Sequence, residues 1–150
     1  MPATLATFLA RYDRPIAAQA RAALRKLRAL LPGAVELVHD NYNALVIAFG
    51  ASERQSDLVV SIALYPRWVT MFFWNGARLK DPTCRLQGSG KQVRGIRLAG
   101  AADLDAPDVI ALIEQAAAGA IFTGRKQIIK SVVARQRPRR PSPVRAGRRR

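Results

Sequence analysis

The sequence has little of what disulfides, zinc sites and membrane spans require. It contains one cysteine, Cys84, and one histidine, His39, in 150 residues. A single cysteine excludes a disulfide within the chain, and the usual zinc sites need three or four Cys, His or carboxylate ligands. No apolar run approaches the roughly 18 residues of a transmembrane helix. Arg11 interrupts the short apolar stretch near the N-terminus, which argues against a signal peptide. These absences favour a domain of the reducing cytoplasm that has no membrane partner.

Acidic residues are also scarce, and the charge imbalance lies mainly in one segment. The chain holds 25 Lys and Arg against 10 Asp and Glu, a formal net charge of +15. Residues 125–150 contain eleven of the basic side chains and no acid, whereas residues 1–124 have a net charge of only +4. We therefore expect one domain over 1–124, or as far as residue 134, followed by a basic tail.

The segment 135–150 combines arginine with proline and has one bulky apolar residue, Val144. Proline lacks an N–H donor and breaks helices, and so little apolar surface cannot offset the entropy of ordering. The sequence predicts a disordered tail, with two interpretations. Its guanidinium groups bind the phosphates of a polyanion such as nucleic acid, or the tail is solvated and has no dedicated partner. The arginines concerned are Arg135, Arg137, Arg139, Arg140, Arg145, Arg148, Arg149 and Arg150.

Apolar spacing predicts helices on either side of a strand-rich middle. A first helix is expected over 3–12, a second up to about Leu31, and a third from near Asp105 to Gly119. A short extended segment is expected around 128–133. The order predicts a two-layer α+β fold, with the N-terminal helices and the C-terminal helix on the same side of an antiparallel sheet of about four to six strands. The predicted strands are 44–49, 58–65, 68–74 and 92–98.

The predicted strand over 68–74 is apolar on both sides. Such a strand is covered on both faces or lines a groove. Its aromatic side chains are typical of a core, and the alternative is a surface on which nucleic-acid bases stack. One side carries Val69, Met71 and Phe73, and the other carries Trp68, Phe72 and Trp74.

A basic stripe is predicted along the second helix. Its four arginines recur at helical spacing beside the apolar stripe. They are either a solvated face whose stems cover apolar surface or a patch that faces an anion. The stripe consists of Arg14, Arg21, Arg25 and Arg28.

Two polar segments are candidates for ligand contacts. The segment 39–43 is rich in Asp and Asn and predicts a turn, in which the histidine is an acid–base candidate. The segment 88–92 is not a phosphate-binding P-loop, because Arg85 and Gln92 replace the required Gly and Ser or Thr, but Lys91 remains a candidate anion contact. Together with the aromatic turn and the late strand, these segments predict one ligand pocket. Its candidate residues are His39, Asp40, Tyr42, Tyr65, Arg67, Trp68, Lys91 and Arg97.

Three aspartates surround the first turn of the third helix, namely Asp103, Asp105 and Asp108. Carboxylate oxygens bind hard cations, which makes them a metal candidate. Acidic side chains at a helix N-terminus are also expected from the helix dipole alone.

Several linked segments across residues 14–118 resemble the YdhG-like family of small bacterial domains of unknown function. They are PGAVELVHDNYNALVIAFG, SIALYPRWVTMFF and LQGSGKQVRGIRL, followed by the helix near Asp105. Tyr65-Pro66 and Gly90-Lys91 match recurring positions of that family. The resemblance implies a two-layer α+β fold. Some members are described as frataxin-like iron chaperones, so it also implies iron as the one metal to consider.

The sequence supports a binding protein more than an enzyme, because no constellation of residues predicts a named reaction. The leading hypothesis is a non-enzymatic cytoplasmic binding module with a small ligand of unknown identity and no cofactor. The first alternative is binding of nucleic acid or another polyanion through the arginine-rich tail. The second is a frataxin-like iron chaperone.

Overall fold

The fold consists of one layer of helices on one face of a six-stranded sheet. A computed structural model describes residues 4–40, 44–124 and 126–131. The α-helices are α1 (Leu5–Leu9), α2 (Arg14–Leu30) and α3 (Pro107–Ala117). The strands are β1 (Val35–Asp40), β2 (Leu45–Gly50), β3 (Leu58–Leu64), β4 (Val69–Phe73), β5 (Arg94–Leu98) and β6 (Lys126–Ser131). Their order across the sheet is β5-β4-β3-β2-β1-β6. The predicted two-layer α+β fold is confirmed.

The sheet is antiparallel, as predicted, over five of its strands and departs from the prediction at one edge. β1 to β5 pair antiparallel in chain order, but β6 runs parallel to β1, with Lys126 opposite Val35. The chain reaches β6 through α3 and not through a hairpin, and such a crossover returns a strand in the parallel direction. The sheet is therefore mixed.

The helices end close to the predicted positions, with local causes. α1 is shorter than the predicted 3–12. Thr4 and Thr7 form a capping box at its start. Asp13 is the residue before α2, and Pro15 lies in the first turn of α2. After α2 the chain turns at Gly33, whose φ of +84° lies in the left-handed region that glycine adopts without strain. A short 3-10 helix, Ala101–Asp105, precedes α3, so the third helix starts two residues later than expected.

The core lies between the helices and one side of the sheet, which we call the helix face. One row of opposed residues crosses five strands on this face, and every member is at most 4% exposed. The row packs with the apolar sides of α2 and α3 in one cluster. It consists of Val38, Ile47, Ile62, Met71 and Ile96.

The opposite side of the sheet, which we call the open face, is covered by none of the described helices, since their buried side chains belong to the cluster on the helix face. Two rows of opposed residues define it. The first row is His39, Val46, Ala63, Thr70 and Arg97, and the second is Leu37, Ala48, Ser61, Phe72 and Gly95. β6 extends these rows with Lys130 and Ile128. Within the described ranges, no helix has the length and apolarity to cross a membrane.

Candidate functional site

The open face contains an apolar depression of 320 Å³. Small side chains of β2 and β3, Ala48 and Ser61, leave room in the middle, and the rings of Phe72 and Trp74 form one wall. The depression exists because side chains on the middle strands are short where those beside them are large. Its lining is completed by Val46, Leu58, Val60 and Val93.

Gly95 sets the position of the Phe72 ring. A Cβ atom at Gly95 would lie 2.9 Å from Cδ1 of Phe72 and 3.0 Å from its Cε1. Glycine therefore lets the aromatic ring lie directly over β5, a cross-strand arrangement that also shields the bare backbone.

A second depression, of 610 Å³, adjoins the first and shares Phe72 and Val93 with it. Its other wall is the loop 87–93, which carries Lys91. Arg94 holds this loop in place by donating from Nη1 to the carbonyl oxygens of Gly90 at 2.6 Å and Val93 at 2.9 Å. The exposed Lys91 thus borders the open face near the end where β5 begins.

An aromatic corner formed by Tyr65, Trp68 and Arg97 lies at the opposite end of β5. The hairpin between β3 and β4 closes with the Tyr65 amide donating to the Trp68 carbonyl at 2.9 Å. The two rings stack with centroids 5.2 Å apart, and the Arg97 guanidinium carbon lies 4.5 Å from the centre of the Trp68 ring. Arg67, in the turn, is exposed. The structure therefore brings together three of the predicted ligand residues.

The remaining predicted residues do not join this corner. His39 is in the same row as Arg97, but four strand spacings of about 4.8 Å separate them. Asp40 points to the helix face, where its Oδ2 accepts from Nη1 of Arg11 at 2.9 Å. Lys91 lies towards the other end of β5, and Tyr42 lies outside the described residues. The described members of the predicted pocket are thus not gathered in one place, because His39 and Asp40 occupy a strand and not a turn.

The charges are distributed unequally over the two faces. Among the described strand residues, the carboxylates are Glu36 and Asp40, and both point to the helix face. Glu36 is 1% exposed; it accepts from Nε and Nη2 of Arg28 at 2.7 and 2.9 Å and from Nε2 of Gln127 at 3.1 Å. The hydrogen bond to Glu36 raises the pKa of Arg28. The carboxylates of the sheet are thus neutralised away from the open face.

Cations, in contrast, occupy both edges of the open face. Arg97 is on β5 at one edge, and Lys126 and Lys130 are on β6 at the other, opposite Val35 and His39. All three are exposed. Lys130 forms a long ion pair with Glu53, in the loop after β2, with Nζ 3.9 Å from Oε1.

The three aspartates near α3 do not converge. Asp103 accepts from the Ala99 amide at 2.8 Å, and Asp105 binds Nζ of Lys26 at 2.9 Å. Asp108 accepts from Arg85 and Thr83, each at 2.8 Å, and these hydrogen bonds hold its pKa below the usual value. Over 4–40, 44–124 and 126–131, no group of three His, Cys, Asp or Glu side chains could hold a metal ion.

The basic stripe on α2 is also divided. Arg28 forms an ion pair with Glu36. The other three arginines are exposed on the side of α2 that faces away from the sheet, namely Arg14, Arg21 and Arg25. The stripe therefore does not continue onto the open face, and the interpretation as a solvated face fits these three residues.

The pattern of β4 gave the strongest sequence signal for this surface. The prediction that 68–74 is either covered on both faces or lines a groove is confirmed in its second form, since Phe72 and Trp74 line the depression. The short side chains Ala48 and Ser61 were missed. Their signal is a small residue at the outward position of an otherwise bulky strand.

No family model matches the chain, and comparison with curated proteins and with solved structures found no similar protein. The resemblance to the YdhG-like family stays a prediction. The arginines of 135–150, from Arg135 to Arg150, lie outside the described residues.

Proposed function

We propose that the protein is a non-enzymatic cytoplasmic binding module that binds its ligand on the open face. The ligand combines a flat apolar group, which occupies the depression beside Phe72 and Trp74, with an anionic group. The observation that supports this most is the pairing of an apolar depression with cationic edges on a sheet face whose described strand residues include no carboxylate.

The size and lining of the depression support binding. Its 320 Å³ is at the lower end of the roughly 300–1,000 Å³ of ligand pockets. Acid–base chemistry needs a titratable side chain within reach of the reacting atoms. The described residues that line the depression are apolar apart from Ser61, which supports a role in binding and not in catalysis.

The test uses anilinonaphthalene sulfonate, a fluorescent probe with flat rings and one sulfonate. Ala48→Phe fills the depression, and the matched control Ala29→Phe adds the same side chain at an exposed position of α2. We expect Ala48→Phe to weaken probe binding at least roughly tenfold, because the larger side chain excludes an aromatic ring, and Ala29→Phe to leave it unchanged.

A second variant covers the case in which Ala48→Phe fails to fold. Arg97→Ala removes an exposed cation from the β5 edge of the open face without disturbing the core, so it should weaken binding of the sulfonate and make it less sensitive to salt. Probe binding that neither variant changes would exclude the open face as the ligand site.

A further inference from the structure

We infer that the anionic ligand is single-stranded nucleic acid, bound across the open face from β5 to β6. This inference rests on the proposed function and narrows its ligand class. It is carried by two features that lie on the same face, namely partly exposed aromatic rings on the floor and cations at both edges.

The aromatic side chains are placed where unpaired bases could stack. Phe72 and Trp74 are two residues apart at the end of β4, so they emerge on the same side roughly 7 Å apart. Trp68 emerges on that side at the other end of the strand and already stacks with Tyr65 and Arg97. Base–aromatic stacking tolerates any sequence because every base has a flat face.

The cations are separated by more than a small ligand would span. Arg97 and Lys130 end the same row on strands five spacings apart, which is about 24 Å at 4.8 Å per strand. A small anion reaches one edge, whereas a nucleic-acid strand reaches both edges with phosphates that are several nucleotides apart. Lys91, at the border of the adjoining depression, and Lys126 extend the cationic rim.

The partly exposed aromatic rings of the open face favour unpaired bases over a duplex. In a duplex the bases are stacked on each other, so their faces cannot reach Phe72 or Trp74, and phosphate contacts alone remain. The charge complementarity is aided by the placement of Glu36 and Asp40 on the helix face, where they do not repel phosphates.

The experiment measures fluorescence anisotropy of a labelled oligothymidylate of about 12 nucleotides, within the usual site sizes of such surfaces, against a duplex of the same length. The full chain is used throughout, so that the basic residues of 132–150 contribute equally to every variant. Arg97→Ala with Lys130→Ala removes one cation from each edge. The matched control is Arg21→Ala with Arg25→Ala, which removes the same charge from the exposed side of α2.

We expect the edge variant to weaken oligonucleotide binding and to reduce the slope of log affinity against log salt by about 1.4, since each lost phosphate contact contributes about 0.7. The control should leave that slope near the parent value. Phe72→Leu keeps an apolar side chain but removes the aromatic plane, so it should weaken oligonucleotide binding roughly tenfold.

Three results would overturn the inference: equal affinity for the duplex, equal losses in the edge variant and its control, or no oligonucleotide binding at low salt. The second result would assign binding to general positive charge. If the sulfonate probe still responds to Ala48→Phe in any of these cases, the proposed function stands and the ligand class alone is wrong. If neither probe responds to variants of the open face, both proposals fail.

Discussion

The two faces of the sheet are built from the same strands, yet they differ in packing and in charge. On the helix face, large aliphatic side chains are buried against α2 and α3, and the strand carboxylates are each bound by an arginine. On the open face, short residues alternate with partly exposed aromatic rings, and the edges are cationic. Among the described residues, the tight packing is therefore concentrated on one side of the sheet, and the proposed ligand site lies on the other.

The ion pairs on the helix face have a structural role more than an energetic one. Burying a carboxylate costs several kcal/mol, and a well-formed pair with a cation about offsets that cost. Glu36 lies on β1 and binds Arg28 of α2 and Gln127 of β6. It therefore holds α2 and β6 in fixed positions relative to β1.

The two faces should differ most in how much stability the protein loses when a phenylalanine ring is removed from each of them. Phe49 is fully buried on the helix face, so Phe49→Ala should lower the free energy of unfolding by about 3–5 kcal/mol. Urea denaturation followed by circular dichroism measures this loss. An equal loss for Phe72→Ala would show that the open face is packed as tightly as the helix face.

Arg28→Ala tests the charges of the helix face. The variant leaves the buried Glu36 carboxylate with the Gln127 amide but without the Arg28 guanidinium. Because Gln127 still binds Glu36, we expect the free energy of unfolding to fall by about 3 kcal/mol, the lower end of the range for breaking a buried ion pair. Arg97→Ala, the matched change on the open face, should cost less than about 1 kcal/mol, the value of an exposed cation–π contact. Thermal unfolding of both variants measures the two losses of stability. Equal losses would contradict the view that the helix face stabilises the fold and the open face does not.

Phe72→Ala is expected to separate binding from stability. The ring is partly exposed and belongs to none of the buried core, so its loss should cost about 1 kcal/mol or less, while binding on the open face should fall clearly. Urea denaturation measures the change in stability, and titration of the same sample with the sulfonate probe measures the change in binding. Unchanged binding would remove Phe72 from the site.

The smallest effect is expected at acid pH, where the carboxylates lose their charge. The hydrogen bond from Arg85, followed by that from Thr83, lowers the pKa of Asp108, and the hydrogen bond from Ser52, followed by the charge of Arg54, lowers that of Asp57. A lowered pKa in the folded state contributes stability above the ordinary aspartate value of about 4, and this contribution is lost as the pH falls through the folded pKa.

Asp108→Asn should therefore be slightly less stable than the parent at pH 7, and its stability should decline less steeply below about pH 4. Melting temperatures measured from neutral to acid pH, with Glu114→Gln on the exposed side of α3 as control, test this. Parallel curves for parent and Asp108→Asn would show that this carboxylate does not contribute.

The sequence predicts most elements because their signals are local. The apolar spacing of α2, the Pro and Gly that bound the helices, and the β-branched runs of β2 to β4 each act over a few residues. β1 was missed because Glu36, His39 and Asp40 look like a surface segment. Two of these are buried by arginines that are 8 and 29 residues away, and spacing along the chain does not reveal such pairs.

The site was harder to predict than the fold for the same reason. Alternation within β4 identified Phe72 and Trp74 as a surface of their own, because side-chain direction follows from position in a strand. The grouping of His39 and Lys91 with Tyr65 failed because it depends on strand order and register. Strand order and register depend on how separate segments pair, so the sequence of a single segment does not predict them.

The position of β6 has a consequence for how the molecule is made. β6 pairs with β1 although the two strands are far apart in the chain: Glu36 of β1 and Gln127 of β6 are 91 residues apart. The other strands pair with their neighbours along the chain. Closing so long a segment is entropically costly, and synthesis delivers Lys126 after all other described elements. We expect β6 to dock last and also to open most readily in the folded protein, and faster amide exchange at Ile128 and Ile129 than at Ile47 and Ile62 would reveal that opening. If the proposed ligand site is correct, a nascent chain would form the aromatic rows of the open face before β6 adds the second cationic edge, so binding of an anionic strand would require the completed sheet.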